Sequence, residues 1–192
     1  GDVDVRATAK ERVISVAVGI AGSGIAGVAG SASVVVMDTT TLAAISGDVN
    51  VYAGGNVYVG ARDDTQTWSI AGGVGIGIGG GGGAGAIAVS VITKHTEAVI
   101  GGGASVDAAG NSAGSVQVAT GATDADGVPL FTSSKGVAVQ AHSSEDVFAL
   151  GASVGGGLYV GVAGSVSVEV IDSDSLAHII GGAQINQTLP SA

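Results

Sequence analysis

Three stretches of the chain share one pattern, and this self-similarity is the strongest constraint on the fold. The stretches begin at Val3, Val57 and Val137, and each consists of V-x-V, a small residue, a polar run and an apolar residue, followed by a tract rich in Gly and Ala. The aligned positions are Gly30/Gly85/Gly164, Asp38/Thr93/Asp172 and Ala43/Ala98/Ala177, at offsets of 55 and 79 residues. Units of this size are each too thin to bury their own apolar face, so the pattern predicts a stacked solenoid.

The repeats divide the chain into three units, residues 1–55, 56–135 and 136–192, the third of which is truncated at Ala192. The second interval is longer because of an insert at about 108–135. Insertions in repeat proteins map to exposed loops, so we expect the insert to project from the repeat. The opening residues Gly1-Asp2-Val3-Asp4 do not form a signal peptide, and we therefore expect a segment of a longer protein.

Alternation of apolar and polar residues within each unit predicts β-strands. Val166, Val168 and Val170 alternate with Ser165, Ser167 and Glu169, and the aligned triplets are Ala32/Val34/Val36 and Ile87/Val89/Val91. A period of two with β-branched residues is typical of strands with one buried face, here the valine face. The polar stretches that follow, 38–41, 93–96 and 172–175, are typical of turns. The sequence therefore predicts an all-β fold, a parallel β-helix-like solenoid of Gly/Ala/Val-rich units of about 55 residues each.

The tract from Ser69 to Ile92 contains 24 uncharged residues, enough by count to span a membrane as a helix. Its glycines at 73, 75, 77, 79 and 81 argue against a helix, because each costs roughly 1 kcal/mol relative to Ala. The segment Gly22–Gly27 matches the motif G-x-G-x-x-G of dinucleotide-binding loops, and Asp38 would then be the acid that binds the ribose. Only 11 residues separate Gly27 from Asp38, too few for a crossover helix and a strand.

We therefore interpret the glycine tract as a strand that packs closely against another backbone. Gly73, Gly75 and Gly77 share one face of this strand, and the run 79–83 is expected to bend it. Two sheets could then lie nearer to each other than the usual spacing of about 10 Å.

Composition and charge exclude several classes of function. The net charge of −10 and only six Lys and Arg residues make duplex nucleic acid an unsuitable partner, because phosphate binding needs clustered cations. The absence of Cys excludes disulfides and Cys-ligated zinc. His95, His142 and His178 fall at different positions of the repeat, so they predict no shared metal site. Trp68 aligns with Val13 and Val147 and is predicted to lie in the core.

The carboxylates cluster at predicted turns, and one cluster suggests calcium. The stretch Asp124 to Gly127, D-A-D-G, offers Asp124 and Asp126 as ligands, but it lacks the third ligand and the closing Glu of an EF-hand. Solvated turn charge is the alternative. No nucleophile, acid–base pair or phosphate loop stands out, so we expect neither enzyme activity nor a catalytic cofactor.

The unit Gly55–Ala108 resembles the repeats of very large bacterial exoproteins, the leukotoxin-like filamentous adhesins and haemagglutinin-type surface proteins. The shared parts are a G-x-V-x-V-x-A opening, the Gly/Ala tract and a V-x-V-I-x-x-x-T-x-A-x-I-x-G close. The resemblance covers nearly the whole chain and is weakest from Ala108 to Lys135. It implies an extracellular or surface-displayed fibre or stalk that contacts neighbouring repeats or filament subunits, and other cells or surfaces. The alternative is an adhesion module that binds a ligand or glycan through the insert 108–135.

Overall fold

The structure is a computed structural model that describes residues 1–125 and 128–187. These residues form strands and connections and contain no helix, which confirms the all-β prediction. The strands are β1 (Val3–Ser23), β2 (Gly27–Ile45), β3 (Asn50–Ala53), β4 (Val57–Gly77), β5 (Gly81–Ile100), β6 (Ser105–Ala108), β7 (Val116–Thr123), β8 (Pro129–Ser134), β9 (Val137–Gly157), β10 (Val160–Ile179) and β11 (Gln184–Ile185).

The strands form three parallel sheets and one antiparallel hairpin. The first sheet has the order β1-β4-β9, the second β2-β5-β10 and the third β3-β6-β11, while β7 and β8 form the hairpin. Each successive triplet of long, long and short strands follows the chain once through the three sheets, and we call such a triplet a coil. This arrangement is compatible with a β-helix-like fold. Residues aligned in the sequence are lateral neighbours, as with Gly30, Gly85 and Gly164 in the second sheet.

The first sheet departs from the sequence alignment by one residue. Trp68 pairs with Ile14 and Phe148, not with Val13 and Val147. A shift of one residue moves a side chain to the other face of a strand. The prediction of a core Trp68 is therefore wrong: the side chain is 40% exposed and its ring centroid lies 6.0 Å from that of Phe148.

One additional residue in the middle coil explains the shift. Four residues, 78–81, separate Gly77 from Gly82, whereas three residues, 24–26, separate their partners Ser23 and Gly27. The additional residue lies in the connection between the first two sheets, where it leaves both ladders unbroken.

The three polar stretches predicted as turns are strand. Residues 38–41, 93–96 and 172–175 lie inside β2, β5 and β10. The turn prediction is wrong because alternate residues of these stretches face the interior, where Thr41, Lys94 and Ser173 find polar partners. Thr41, for example, donates a hydrogen bond to Asp63 at 3.0 Å.

The valine face of the second sheet points outward, contrary to the sequence prediction. Val34 and Val36 are 61% and 73% exposed, whereas Ser33 and Val35, which alternate with them, are 2% and 6% exposed. The Ser33 hydroxyl lies 2.8 Å from those of Ser15 and Ser69 in the first sheet. Apart from Val35, the buried side chains of this part of the inner face are small, because the first sheet lies so close behind it.

Glycine makes this close approach possible, as the sequence predicted. A Cβ atom on Gly73 would lie 2.7 Å from the carbonyl oxygen of Gly85, and one on Gly75 or Gly77 would collide with Gly83 or Gly81. The tract is also interrupted between β4 and β5, at residues 78–80. We call the halves of the long strands next to this connection, residues 14–36, 68–91 and 148–170, the blade.

The main apolar core lies at the opposite end of the long strands, where the third sheet packs between the other two. It contains Val57 and Val59 of the first sheet, Ile100 of the second and Val106 of the third, all fully buried. We call this end the base. The base buries large apolar side chains inside, whereas the blade buries mainly Gly, Ala and Ser, with Val35, and exposes most of its larger apolar side chains.

Candidate functional site: a cleft beside the insert

The insert forms a cleft with the outer face of the first sheet near the base. The cleft has a volume of about 380 Å³, which lies at the low end of the range for small-molecule sites, roughly 300–1,000 Å³. The hairpin contributes Val116, Gln117 and Phe131 to its wall. The first sheet contributes Asp4, Arg6, Thr8, Tyr58, Arg62, Gln140 and His142.

Asn56 fixes the insert to the base. Its amide nitrogen donates to the Ser112 hydroxyl at 2.9 Å and to the Gly114 carbonyl at 3.1 Å, and its amide oxygen accepts from the Gly136 N–H at 2.9 Å. Asn56 is 2% exposed, and a buried amide whose polar atoms are bonded holds its partners firmly. The backbone N–H of Asn56 donates to Asp2, and this hydrogen bond, with one from Ser112, lowers the pKa of Asp2.

The hairpin is also held from the side of β9. The backbone N–H of Ala119 donates to the Gln140 side-chain oxygen at 2.9 Å. Lys135, at the end of the insert, donates to the Ser112 carbonyl at 3.0 Å. The hairpin is thus fixed where it joins the rest of the chain and at one point along its length. These contacts give the cleft a defined shape.

The cations in the wall of the cleft have carboxylate partners. Arg6 lies 2.7 Å from Asp4 and its guanidinium lies 4.8 Å from the centre of the Tyr58 ring, while Arg62 lies 2.9 Å from Asp64. Burial raises the pKa of the Tyr58 hydroxyl, so it remains a neutral hydrogen-bond donor. A wall of paired charges, amides and two aromatic rings suits a neutral ligand that carries many hydroxyl groups.

A second polar cluster lies between the first two sheets, and its centre is closed to solvent. The Lys94 ammonium lies 2.5 Å from an Asp63 carboxylate oxygen and 3.5 Å from Glu145, and the side chains of Lys94 and Asp63 are fully buried. Glu11 belongs to the same cluster through a hydrogen bond from Thr65 at 3.1 Å. This cluster separates the apolar core of the base from the small-residue interior of the blade.

The pKa values of the cluster differ in direction. Burial raises the pKa of Asp63, but hydrogen bonds from Lys94 and Thr41 and the Lys94 charge outweigh it, so the pKa lies below its ordinary value. Burial likewise raises the pKa of Glu145, and hydrogen bonds from Ser143 and Ser173 together with Lys94 bring it below its ordinary value. The pKa of Glu11 is raised, because burial and the Asp63 charge outweigh its bond to Thr65.

Asp124, one of the two calcium candidates, lies just after the end of β7 in the hairpin. Asp124 accepts a hydrogen bond from the Val128 N–H at 2.8 Å, and its own N–H donates to the Val128 carbonyl at 2.9 Å. Asp126 lies outside the described residues. Among residues 1–125 and 128–187, no group of three or more His, Cys, Asp or Glu side chains could hold a metal ion.

The histidines lie on strands rather than in turns. His95 and His178 both approach Glu97, at 3.2 and 3.5 Å, on the outer face of the second sheet, whereas His142 lines the cleft. Sequence reasoning missed the His95–Glu97–His178 group and the cleft residues of the first sheet. The spacing of His95 and Glu97, two apart on one strand, is the signal that could have placed them on one face.

Comparisons with known proteins give this chain no relative: no family model, no curated protein and no solved structure matches it. The part of the chain that the structure describes contains no helix of the length and hydropathy needed to cross a membrane.

Proposed function

We propose that this chain is a β-solenoid segment of an extracellular, surface-displayed filamentous protein, with a structural rather than a catalytic role. The observation that carries the proposal is the parallel pairing of β4 with β1 on one side and β9 on the other, without interruption over 21 positions. The two edges of the middle coil therefore form the same parallel pairing pattern with the coils on either side. Such units add along one axis, which is how repeat proteins build fibres and stalks.

The exposed faces of the blade support a role in surface contact. Residues 13–37 carry no charge, and Ile20 and Val28, on opposite outer faces, are each 78% exposed. Apolar patches of this kind on a protein surface mark interaction sites. The resemblance of the repeats to bacterial filamentous exoproteins supports the same role and an extracellular or cell-surface location.

Cryo-electron microscopy of the native material that carries this sequence tests the proposal. We expect fibres with a layer repeat of about 4.8 Å along the axis, which is the spacing of paired strands. Discrete particles without that repeat, or a far-ultraviolet circular dichroism spectrum with substantial helix, would contradict it.

The cleft favours a second candidate function, the binding of a glycan at the insert. Tyr58 and Phe131 present aromatic rings to the cleft, and Gln117 and Gln140 add amide groups that both donate and accept hydrogen bonds. Sugar rings present C–H faces and hydroxyl edges, which these two kinds of side chain complement.

Saturation-transfer NMR with a panel of neutral oligosaccharides tests the second candidate. We expect saturation-transfer signals from an oligosaccharide that binds the wild-type chain. Phe131→Ala should weaken its affinity at least about tenfold, a loss of about 1.4 kcal/mol in binding free energy. Phe148→Ala is the matched control, because it removes an aromatic ring that is similarly exposed but lies on the first sheet outside the cleft. Equal binding by both variants would place the ligand elsewhere.

A further inference from the structure

The long strands at either end of the stack have an unpaired edge. β1, β2 and β3 each lie at one edge of their sheet and β9, β10 and β11 at the other, among the described residues. An unpaired edge presents a row of N–H and C=O groups that can pair with another chain. The middle coil shows what a partner must look like, since it pairs in the same register with a coil on each side.

We propose that the edge formed by β9, β10 and β11 pairs with the β1, β2 and β3 edge of a second copy of this chain, and that this association takes up a proton. The inference rests on the proposed function, because it continues the same parallel ladder from one copy to the next. Its new content is the partner, the register and the dependence on acid.

The register follows from the pairs within one chain. Val57 pairs with both Val3 and Val137, so Val137 of one copy would pair with Val3 of the second. Gly82 pairs with both Gly27 and Gly161 in the second sheet. β9 and β1 each contain 21 residues, so the two edges also agree in length.

One inward-facing position of this junction brings two carboxylates together, and on the outer face Asp172 of one copy would also lie beside Asp38 of the second. Thr65 pairs with both Glu11 and Glu145, so Glu145 of one copy would lie directly beside Glu11 of the second, facing the interior. The charged groups that face this position are Lys94 and Asp63 of each copy. β2 and β10 contribute Thr39 and Ser173 at this height, which carry no charge, and Glu169 lies four residues from Ser173 along β10.

The charges at the junction do not balance. Each Lys94 contacts both Asp63 and Glu145 of its own copy, so at the junction two ammonium groups face four carboxylates, namely two Asp63, one Glu145 and one Glu11. Two carboxylates at adjacent buried positions cannot both ionise without a large penalty, and one of them binds a proton instead. Association should therefore strengthen as the pH falls toward the ordinary range of a carboxyl group and weaken at neutral pH.

Cysteine cross-linking tests the partner and the register. Gly72 pairs with Val18 and with Ala152, so Val18→Cys with Ala152→Cys would place the two thiols side by side only across the junction. The chain has no cysteine of its own. We expect a head-to-tail ladder of oligomers after mild oxidation at acidic pH.

Val18→Cys with Phe148→Cys is the matched control, because its two positions are displaced by four residues, about 13 Å along the strand. A disulfide requires Cα atoms within about 7 Å, so this pair should give no ladder. Equal ladders from both pairs, or none from either, would overturn the register.

Sedimentation velocity over a pH series tests the proton. Glu11→Gln should lower the dissociation constant at neutral pH by at least about tenfold, the effect of one pKa unit, and should remove most of the pH dependence. Asp174→Asn makes the same charge change on the outer face, where its neighbour across the junction is the uncharged Thr40, and should leave association unchanged. Glu145→Gln replaces Glu11→Gln if the latter is poorly folded. Equal effects of the inner and outer variants, or no association at any pH, would overturn the inference.

The two proposals fail in different ways. A chain that keeps its β-sheet circular dichroism spectrum but stays monomeric contradicts only the junction. Absence of the layer repeat of about 4.8 Å, the strand spacing, contradicts the solenoid itself.

Discussion

Lys94 forms an ion pair with Asp63, with the ammonium nitrogen 2.5 Å from the carboxylate oxygen and both side chains fully buried between the first two sheets. Removal of one partner leaves a buried charge without compensation. We expect Lys94→Met to lower the free energy of unfolding by about 3–5 kcal/mol. Urea unfolding followed by the fluorescence of Trp68, the only tryptophan, measures this change.

The double variant Lys94→Met with Asp63→Leu is the control for that experiment. Replacement of a whole buried ion pair by apolar residues of similar size is often neutral or stabilising. We expect the double variant to regain most of the lost stability. A double variant no more stable than Lys94→Met would show that the pair has a role beyond mutual compensation.

The wild-type chain should lose stability in acid. The lowered pKa values of Asp63 and Glu145 mean that the folded state favours their charged forms more than the unfolded state does. The resulting stabilisation is fully present above the unfolded pKa values of about 4 and is lost as the pH falls through the lower folded values. Thermal unfolding between neutral pH and about pH 3 should show a falling midpoint.

The contribution of Glu11 to stability should depend on pH in the opposite direction. Its raised pKa means that the fold favours the protonated form, so its contribution is present below the unfolded pKa and is lost as the pH rises through the folded value. Glu11→Gln should therefore raise the unfolding midpoint of the monomer at neutral pH and change it little in acid. A midpoint that falls at neutral pH would contradict this assignment.

Two adjacent positions of β2 test the inverted packing of the blade. Ser33→Val should destabilise the chain by about 1–3 kcal/mol, because it enlarges a side chain in a filled interior. It also removes the hydroxyl that lies 2.8 Å from those of Ser15 and Ser69. Val34→Ser, on the exposed face, should change stability by less than about 0.5 kcal/mol. If chemical denaturation showed Val34→Ser to be the more destabilising of the two variants, the valine face would have to lie inside.

Two glycines of the middle coil test the close approach of the sheets. Gly75→Ala should destabilise by about 1–3 kcal/mol, because its Cβ would collide with the Gly83 carbonyl and would lie 3.0 Å from that of Gly27. Gly85→Ala should be neutral or stabilising by up to about 1 kcal/mol, since the nearest atom to its Cβ, the Gly164 oxygen, would be 3.9 Å away. Similar unfolding midpoints for the two variants would refute backbone contact.

Sequence patterns predicted the strands and the glycine contact, because both depend on local periodicity. They did not predict which face of β2 is inside. Alternation defines two faces, but the choice between them depends on the opposite sheet, where Gly73 and Gly75 approach the backbone of Gly85 and Gly83 and leave little room for side chains. A solitary valine pattern carries no information about what faces it.

The errors at Trp68 and at the polar stretches have separate physical causes. The additional residue of the middle coil lies within or beside the run of glycines at 79–83, where no side chain marks the position of an insertion. Asp63 and Lys94 are 31 residues apart, and nothing local shows that each is the other's partner. The cleft is assembled from the insert and from three strands of the first sheet, so only its insert was visible in the sequence.

The proportions of the long strands have a mechanical consequence. β1 and β4 each contain 21 residues, about 70 Å at the rise of an extended strand, whereas the two sheets of the blade touch through their backbones. A stack of such coils has the cross-section of a plank. Because the bending stiffness of a beam grows with the cube of its depth, the stack resists bending edgewise and yields flatwise. It would therefore curve so as to lay a broad apolar face, rather than an edge, against whatever it meets.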